Sequence, residues 1–419
     1  MKKSNVRWLY VALILVIMAV SCAAFAKDEK VTLTYWNGFT GPDRPALEAL
    51  VDRFNKSNAK IEIKMDIMPW DSFYQKLASA LATGQGPDLL AFATERIGTY
   101  AKPGAIVPIN DFYKGKNGFD PAILPKALNA NLKFNGKYYG APMNFATLLL
   151  YYNKDLFKAA GLDPEKPPKN WTELKDYAIK LTKVSGGKVE QYGFGIASRE
   201  TVPMWPILIW GNGGDFINYR AKTSLINNAN TVKAVQYFAD LISKNRISPA
   251  ILTGAEVDKL FESQKAAMYM CGPWAVNGFK KAGLNFGVAP VPAGPKKAVT
   301  LGTGVAMCLT SSSKHKKEAY EFFKYWNTKE SQVYWALNTG FPPTRTDLLD
   351  DPALKANPYV IAFSAVANQS QFYLQQLTNF GRIDSDVITP AMENILLGKM
   401  TVKESLDKAA ADMNAMLKE

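Results

Sequence analysis

The 419-residue sequence predicts a layered α/β fold arranged as two lobes. A chain of this length exceeds what one ordinary hydrophobic core accommodates, so more than one domain is expected. Strand-like and amphipathic helical segments alternate between Val31 and Ala93, and such alternation indicates parallel strands joined by crossover helices. Apolar residues make up 47% of the chain and charged residues 21%, as in folded globular proteins.

Residues 1–26 have the composition of a secretory signal: a basic start, an apolar stretch and small residues at the end. The apolar stretch is too short for a transmembrane helix. Ala24–Ala26 forms an A-x-A cleavage site that would release a soluble chain beginning at Lys27. Alternatively, Ala19–Cys22 resembles a bacterial lipobox, which would place a lipid on Cys22. We therefore expect an exported protein, in the periplasm or on the outer face of the cytoplasmic membrane.

The charge of the chain argues against a nucleic-acid partner. The formal net charge of +13 falls to +10 without the signal, because Lys2, Lys3 and Arg7 are the only charged residues in it. The remaining basic residues are scattered among acidic and aromatic neighbours, as on an ordinary solvated surface. Nucleic-acid binding would need a concentrated basic stripe, so none is expected.

The cysteines outside the signal are Cys271 and Cys308. An oxidising compartment would permit a disulfide between them. Both lie in apolar, strand-like stretches, where a free buried cysteine is equally at home. The sequence leaves their pairing open.

Two loops in the first part of the chain directly follow predicted strands. The strand Val31–Trp36 runs into the polar loop Asn37–Asp43, and the strand Leu89–Ala93 runs into Thr94–Arg96. Ligands of parallel α/β sheets bind beyond the carboxyl ends of the strands, so these loops predict a cleft. Their polar side chains give four candidate ligand contacts: Asn37, Thr40, Glu95 and Arg96. The other elements predicted here are helix Ala46–Asn55, strand Ile61–Ile67 and helix Trp70–Ala82.

A second α/β set is predicted from Leu149 to about Val299, after a short hairpin within Gly136–Met143 that leads into an extended crossing segment. The C-terminal region is predicted to be helical, and Thr401 with Glu404 forms a capping box at its last helix. The elements expected in these parts are strands Tyr192–Ala197, Ala266–Cys271 and Leu301–Leu309, a segment Trp205–Trp210 that leads into Gly211–Gly214, and helices Thr231–Ser243, Lys316–Asn327 (capped by Ser311–Ser313) and Val402–Leu417.

The sequence offers few means for covalent catalysis. His315 is the only histidine and stands at an exposed helix start, so neither a Ser/His/Asp triad nor a His/Cys metal site can be assembled. Glycine-rich phosphate-binding motifs are also missing, and no metal or other cofactor is expected. Glu95 and Glu200 could still form a glycosidase pair. This leaves a secreted glycan-degrading enzyme as an alternative of another class.

The pattern of aromatic and polar residues favours carbohydrate binding. Sugar sites combine aromatic faces for the C–H patches of the ring with carboxylates, amides and arginine for neighbouring hydroxyls. Trp274 follows Gly272 and Pro273 at the end of a predicted strand, which makes it a candidate for stacking on a ligand. Trp210 is a second candidate. The tryptophans expected to pack in the core are Trp36, Trp171 and Trp326.

The stretch Leu148–Leu181 has a distinctive order of local signals. An apolar run ends at Asn153–Asp155, a short helix stops at Gly161, prolines follow, and Thr172 is the expected N-cap of a second helix. This string resembles the signature of extracellular solute-binding proteins that feed ATP-driven importers. That family includes the maltose-binding and glycerol-3-phosphate-binding proteins, and the likeness extends over essentially the whole mature chain.

The resemblance implies a type II periplasmic-binding-protein fold, with a ligand cleft between two discontinuous α/β lobes. Lobe I would comprise residues 27–145 plus 305–340, and lobe II residues 146–304 plus 341–419. The hinge would cross between lobes near Asn144–Leu148, Gly302–Met307 and Gly340–Pro343. The implied function is capture of a mono- or oligosaccharide by a monomeric, non-enzymatic protein, which delivers it to the membrane permease of an ABC importer.

The resemblance also suggests roles for individual residues. Glu95 and Arg96 fall where relatives hold sugar hydroxyls with an acid–arginine pair, and Phe92 stands where one has a sugar-facing tryptophan. Glu200 and Trp274 match a ligand-binding glutamate and a stacking tryptophan. The remaining predicted contacts are Asn144 and Gly304 in the hinge segments, and Arg382 and Asp384 in a segment that faces the cleft in relatives.

Two departures count against maltose itself. Ala146 replaces a carboxylate, and Ser385 stands where a stacking tryptophan would be. Tyr151–Asp155 together with Pro164–Trp171 is closer to the glycerol-3-phosphate binder, so glycerol 3-phosphate or a polyol is an alternative ligand. A third hypothesis is the input protein of a chemotaxis or signalling receptor. The identity, size and anomeric form of the ligand stay open.

Overall fold

The computed structural model describes residues 30–199 and 204–419. The predicted signal, with Cys22, and the candidate Glu200 lie outside these residues. Among the described helices, none combines the length and the apolar character needed to cross a membrane.

The strands of the described part are β1 Val31–Asn37, β2 Ile61–Ile67, β3 Leu89–Ala93, β4 Lys133–Phe134, β5 Lys137–Tyr138, β6 Gly140–Thr147, β7 Leu149–Asn153, β8 Lys183–Ser185, β9 Lys188–Gln191, β10 Ile217–Asn218, β11 Thr223–Ser224, β12 Met268–Cys271, β13 Phe286–Ala289, β14 Thr300–Leu309 and β15 Ser370–Phe372.

The helices of the described part are α1 Arg44–Ser57, α2 Trp70–Ala82, α3 Ile97–Ala101, α4 Lys126–Asn131, α5 Lys154–Ala159, α6 Trp171–Leu181, α7 Trp205–Gly211, α8 Ala229–Ser243, α9 Gly254–Glu262, α10 Val276–Lys281, α11 Lys316–Trp326, α12 Lys329–Thr339, α13 Pro352–Lys355, α14 Pro358–Ala365, α15 Phe380–Arg382, α16 Thr389–Leu396 and α17 Val402–Met416, with a π-helix at Ile383–Ile388 between α15 and α16.

The larger sheet has the strand order β15-β14-β3-β1-β2, and β6 also pairs with β14. Strand β1 is parallel to both β2 and β3, as the alternation of strands and helices predicts. The long strand β14 is antiparallel to β3 and β6 and parallel to β15. Because β1 and β3 are parallel, their carboxyl ends lie at the same edge, where the predicted cleft loops begin.

The second sheet differs, because its strands β12, β7 and β13 pair in antiparallel fashion. One prediction in this region is wrong, and a segment of unassigned type proves to be a helix. Tyr192–Ala197 is not a regular strand, and makes only isolated parallel bridges, from Tyr192 to Ala266 and from Gly195 to Tyr269. Trp205–Gly211 is a buried helix, which a proline at its second position helps to begin.

The buried side chains form separate cores on either side of the hinge. One set draws on residues 33–146 and 306–341 together with Phe372, and the other on residues 148–301 and 363–413. The chain passes from the first sheet to the second at Leu148, between β6 and β7, and again along β14. These separate cores account for the two-lobe fold. The exact residue boundaries of the lobes stay a prediction. Cys271 and Cys308 are free and buried, one in each set of cores.

Two of the four predicted capping signals are confirmed. The Thr401–Glu404 capping box is present, and Gly161 has the positive φ of 66° expected after a helix. The N-cap of α6 is Asn170 rather than Thr172, because its side chain accepts a hydrogen bond from the amide of Glu173. Helix α11 begins after His315 without a side-chain cap, so the predicted serine cap is wrong.

Candidate functional site

A cavity of about 300 Å³ lies between the two sets of cores, and both contribute to its lining. We call the residues from the parallel sheet the first wall and those from the other lobe the second wall. The first wall includes Phe39, Thr40, Asp43, Trp70, Tyr74, Glu95 and Arg96. The second wall includes Asp258, Tyr269, Trp274, Tyr373, Phe380 and Asp384.

In the first wall, the loop after β1 positions Thr40, Asp43 and an aromatic ring. The Trp70 ring, at the start of α2, lies so close to Gly38 that a β-carbon there would collide with it. The Asp43 side chain is 6% exposed, makes no capping hydrogen bond to α1, and faces the cavity. Burial raises the pKa of Asp43 to about 7.

Glu95 and Arg96 lie on a short 3₁₀ turn, Thr94–Arg96, that follows β3 directly. The Glu95 carboxylate is buried and accepts a hydrogen bond from Thr94 Oγ1 at 3.3 Å. Burial raises the pKa of Glu95 to about 7, although Arg96 and the hydrogen bonds act in the opposite direction. A carboxylate held in this way gains most from a ligand that hydrogen-bonds to its ionised form.

The Arg96 guanidinium is packed between aromatic rings of the two walls. Its Cζ atom lies 3.9 Å from the ring centroid of Tyr74 on α2 and 4.9 Å from that of Phe380 on α15. Cation–π contacts of this kind fix the plane of the guanidinium and leave its edge free for hydrogen bonds. Arg96 therefore both joins the walls and presents donors to the cavity.

In the second wall, a tyrosine hydroxyl holds each of two carboxylates. Tyr269 donates to Asp258 Oδ1 at 2.9 Å, and Tyr373 donates to Asp384 Oδ1 at 3.0 Å. Burial raises the pKa of Asp258 to about 6 and also raises the pKa of Asp384. Asp384 belongs to the π-helix, an insertion that often occurs at functional sites.

Trp274 resembles Trp70 in its placement, but it lies in the second wall. Its ring covers Gly272, where a β-carbon would collide with it, and lies 6.2 Å from the ring of Phe341. Trp274 packs against cores of both lobes, so its position depends on how the walls are arranged. Each wall thus presents one tryptophan ring that packs directly against a glycine, where any side chain would displace it.

The floor of the cavity is made by the hinge strands. Asn144 Oδ1 accepts a hydrogen bond from the amide of Val305 at 3.0 Å, which joins β6 to β14. At Gly304, a β-carbon would lie 2.9 Å from Leu128 Cδ1 and 3.1 Å from the Asn144 carbonyl oxygen. A side chain at this position would separate the two strands.

The structure brings most of the predicted contacts to one cavity. Those that line it are Thr40, Glu95, Arg96, Asn144, Trp274, Gly304 and Asp384. Asn37 lies behind the lining, fully buried, where its Oδ1 accepts from the amide of Phe39 at 3.2 Å and shapes the loop. The roles of the lining residues as ligand contacts stay predictions.

Two predicted contacts, Trp210 and Arg382, do not line the cavity, and neither does Phe92. Trp210 packs in the second core with 4% exposure, and its Nε1 donates to Asp215 at 3.2 Å, so the ring does not reach the cavity. Arg382 is exposed and pairs with Glu419. Phe92 is fully buried inside the first lobe and does not line the cavity.

Several lining residues were not predicted as ligand contacts. Trp70 and Asp43 both follow parallel strands, so the strand-end rule that selected Glu95 would also have found them. Asp258 and Tyr373 had no comparable signal, because their approach to the cavity depends on the folding of the second lobe. Within the described residues, no group of His, Cys, Asp and Glu has the arrangement needed to hold a metal ion.

Comparison with known proteins places this geometry in context. A binding protein of Brucella abortus (strain 2308) is 29% identical over 413 residues, covering 96% of each chain. An sn-glycerol-3-phosphate-binding periplasmic protein of Pectobacterium atrosepticum is 25% identical over 430 residues, covering 96% of this chain and 95% of that protein. The structure of an ABC transporter solute-binding protein from Thermotoga lettingae, solved with α-D-tagatose, superimposes on this chain with a TM-score of 0.84 at 25% identity. The match covers 93% of this chain and 100% of that protein.

The family match is consistent with the fold and with the placement of the cavity. The solved structures share the type II periplasmic-binding architecture, in which two α/β lobes enclose a cleft. Residues 49–362 match the family described as bacterial extracellular solute-binding protein. The chain therefore belongs to this family of exported solute-binding proteins.

Proposed function

We propose that this protein is the substrate-binding protein of an ABC importer, and that it captures a small carbohydrate in the cavity between its lobes. It then presents the carbohydrate unchanged to a membrane permease. One observation carries this proposal: each wall of the cavity supplies a tryptophan ring and two carboxylates, which are buried in the first wall and partly buried in the second.

The lining suits a sugar ring in both shape and chemistry. Trp70 and Trp274 offer flat apolar faces for C–H groups, and the carboxylates and Arg96 offer paired acceptors and donors for neighbouring hydroxyls. The cavity volume of about 300 Å³ lies at the lower end of the ~300–1,000 Å³ typical of small-molecule sites. The ligand that fits best is therefore a mono- or disaccharide.

Contacts from both walls supply the driving force for closing the cleft. A ligand that touches Glu95 in one wall and Asp384 in the other binds the closed form better than the open form, and so shifts the population towards closure. Arg96, between Tyr74 and Phe380, adds a contact that exists only when the walls meet. The closed form is the one that a permease would recognise.

Glycerol 3-phosphate is the less favourable alternative. The named relative from Pectobacterium binds it, and Arg96 could pair with a phosphate. Among the described lining residues, however, Arg96 is the only cation, and it is accompanied by Asp43, Glu95, Asp258 and Asp384. In their ionised form these carboxylates would repel a phosphate dianion, whereas they can accept hydrogen bonds from hydroxyl groups.

A thermal-shift screen over mono- and disaccharides, longer oligosaccharides and glycerol phosphates tests the proposal. We expect a small saccharide to raise the melting temperature, because binding stabilises the folded state by RT ln(1 + [L]/Kd). Small-angle scattering should show the protein becoming more compact with that sugar, and NMR of the sugar should show no product. A protein that keeps one shape with every solute, or that converts a sugar, would contradict the proposal.

Two finer points are tested on the secreted protein itself. We propose a monomer, which size-exclusion chromatography with light scattering would establish. Mass spectrometry of the mature chain distinguishes cleavage after Ala26 from lipidation of Cys22, since only the latter adds acyl chains and tethers the protein to the membrane.

A further inference from the structure

The charges lining the cavity are strongly unequal for a protein with a net charge of +13. Four described lining residues are acidic (Asp43, Glu95, Asp258 and Asp384), and Arg96 is the only basic one. The neighbouring acids Glu95 and Asp384 are within electrostatic reach of Arg96. Asp43 and Asp258 have no such neighbour, so the imbalance is concentrated on them.

Asp43 has no cationic partner in the described structure. The guanidinium next to it in sequence, that of Arg44, pairs instead with Glu48, at 2.7 Å from Nε to Oε1. Asp43 is nevertheless 6% exposed and faces the cavity rather than solvent. Backbone N–H groups of Asp43 and Arg44 are the compensation that this buried carboxylate receives, and a charged partner is missing.

Asp258, in the opposite wall, is compensated only by neutral groups. Tyr269 donates to it at 2.9 Å, and the thiol of Cys271 lies 3.6 Å away, but no lysine or arginine pairs with it among the described residues. Burial raises the pKa of both aspartates, to about 7 for Asp43 and about 6 for Asp258. A positive charge in the cavity would reverse this effect.

The aromatic rings of the cavity are suited to the same kind of group. The faces of tryptophan and tyrosine attract a cation electrostatically, most strongly when water is excluded. Trp70 and Trp274 line the cavity together with Asp43 and Asp258. Aromatic rings together with carboxylates that lack a cationic partner form a better site for an ammonium group than for a hydroxyl group.

We propose that the carbohydrate bound by this protein carries a protonated amino group, which Asp43 and Asp258 neutralise between the rings of Trp70 and Trp274. The proposal rests on the proposed function and narrows the ligand class to basic sugars. Arg96, Glu95 and Asp384 would contact hydroxyl groups at the other side of the same ligand. The basic nitrogen supplies the cation that the lining lacks.

Matched sugars test this on the wild-type protein. The β-1,4 dimer and trimer of glucosamine, their N-acetylated forms, and cellobiose and cellotriose share one linkage and differ mainly at C2. Calorimetry near pH 7 should show the amines binding about tenfold or more tightly than the hydroxyl and N-acetyl forms, as expected for a charged hydrogen bond in a buried site.

Proton linkage gives a second readout that does not depend on a variant. Near pH 6, an amine with an ordinary pKa of ~7.7 is already protonated, whereas Asp43 holds a proton. Calorimetry in buffers of different ionisation enthalpy should therefore show net proton release when the amine binds. The matched hydroxyl sugar should release fewer protons, because a hydroxyl donor lowers the pKa of a carboxyl group less than a cation does.

The variants D43N and D258N should each reduce the preference for the amine while changing the affinity for the hydroxyl form much less. D52N is the matched control, because Asp52 is exposed on α1 and pairs with Lys56. Equal binding of amine and hydroxyl forms, or tighter binding of the latter, would overturn the amine proposal and leave the proposed function standing. Failure of every saccharide, including those of the broader screen, would overturn both.

Discussion

The two walls of the cleft present similar chemistry but obtain it in different ways. In the first wall, Asp43, Trp70 and Glu95 all follow parallel strands of one sheet. In the second wall, Asp258 is on helix α9, and Tyr269 is on an antiparallel strand. The side chains of the first wall are thus brought together by a local rule, and those of the second only by the packing of a whole lobe.

The walls also differ in charge. The first wall contains Arg96, which lies near Glu95, whereas the second has no described cation and relies on the hydroxyls of Tyr269 and Tyr373. Hydroxyl donors hold a carboxylate in place without neutralising it. The second wall therefore presents oriented acceptors without a cation of its own, although Arg96 of the first wall is within electrostatic reach of Asp384. This difference between the walls can be tested.

The largest expected effect is a change in the free energy of unfolding when Glu95, which is buried in the first wall, is replaced. Its folded-state pKa of about 7 exceeds the ordinary value of 4.5, so its contribution to stability is fully present below pH 4.5 and is lost as the pH rises through 7. Glu95→Gln cannot ionise and should stabilise the ligand-free protein by about 2 kcal/mol at pH ~8, with little gain at pH ~4.5. Urea unfolding at both pH values measures this.

Glu48→Gln serves as the control for this measurement, because Glu48 is an exposed carboxylate that forms a surface salt bridge with Arg44. Equal effects of Glu95→Gln at the two pH values would contradict a raised pKa at this position.

The next effect compares one ligand contact from each wall. Glu95→Ala and Trp274→Ala should each weaken sugar binding at least tenfold, or ~1.4 kcal/mol. Glu95→Ala removes two acceptor oxygens, and Trp274→Ala removes the aromatic face on which a sugar ring stacks. Titration calorimetry with the best sugar of the screen measures both. Trp274→Phe should retain much of the affinity, since it keeps an aromatic face over Gly272. If both alanine variants bind normally, the cavity is not the site.

A smaller effect is expected from the tyrosines of the second wall. Tyr269→Phe and Tyr373→Phe leave the rings in place and remove only the hydroxyl that orients Asp258 or Asp384. We expect about three- to tenfold weaker binding for each, because the lost hydroxyl orients the carboxylate indirectly and a typical hydrogen bond contributes ~0.5–1.5 kcal/mol. Circular dichroism would verify the fold. Unchanged affinity in both would mean that these carboxylates do not contact the ligand.

The smallest effects on sugar affinity are expected at predicted contacts that do not line the cavity in the structure. Arg382→Ala and Trp210→Phe should change sugar affinity less than about twofold, because one residue is exposed beside Glu419 and the other is bonded to Asp215 in the core. Trp210→Phe should lower the melting temperature instead, through the cavity it leaves. A large loss of binding in either variant would require a cleft different from the one described.

The sequence predicted the first wall better than the second, for a physical reason. The periodicity of Ile61–Ile67 and Trp70–Ala82 is local, and both elements have the predicted bounds. Once parallel strands are recognised, their carboxyl ends meet at one edge, so Glu95 and Arg96 could be placed in the cleft without coordinates. The same rule does not apply to Trp210, because it lies on a buried helix that packs its ring into the core.

By itself, the sequence determined most of the elements, two of the four caps and the family, because these follow from the order of residues close together in the chain. Only the tertiary structure decided which carboxylates share the cavity. Asp43 and Asp258 are more than 200 positions apart, and no local pattern relates them. They line one cavity because the two lobes face each other, with β6 and β14 as the joint.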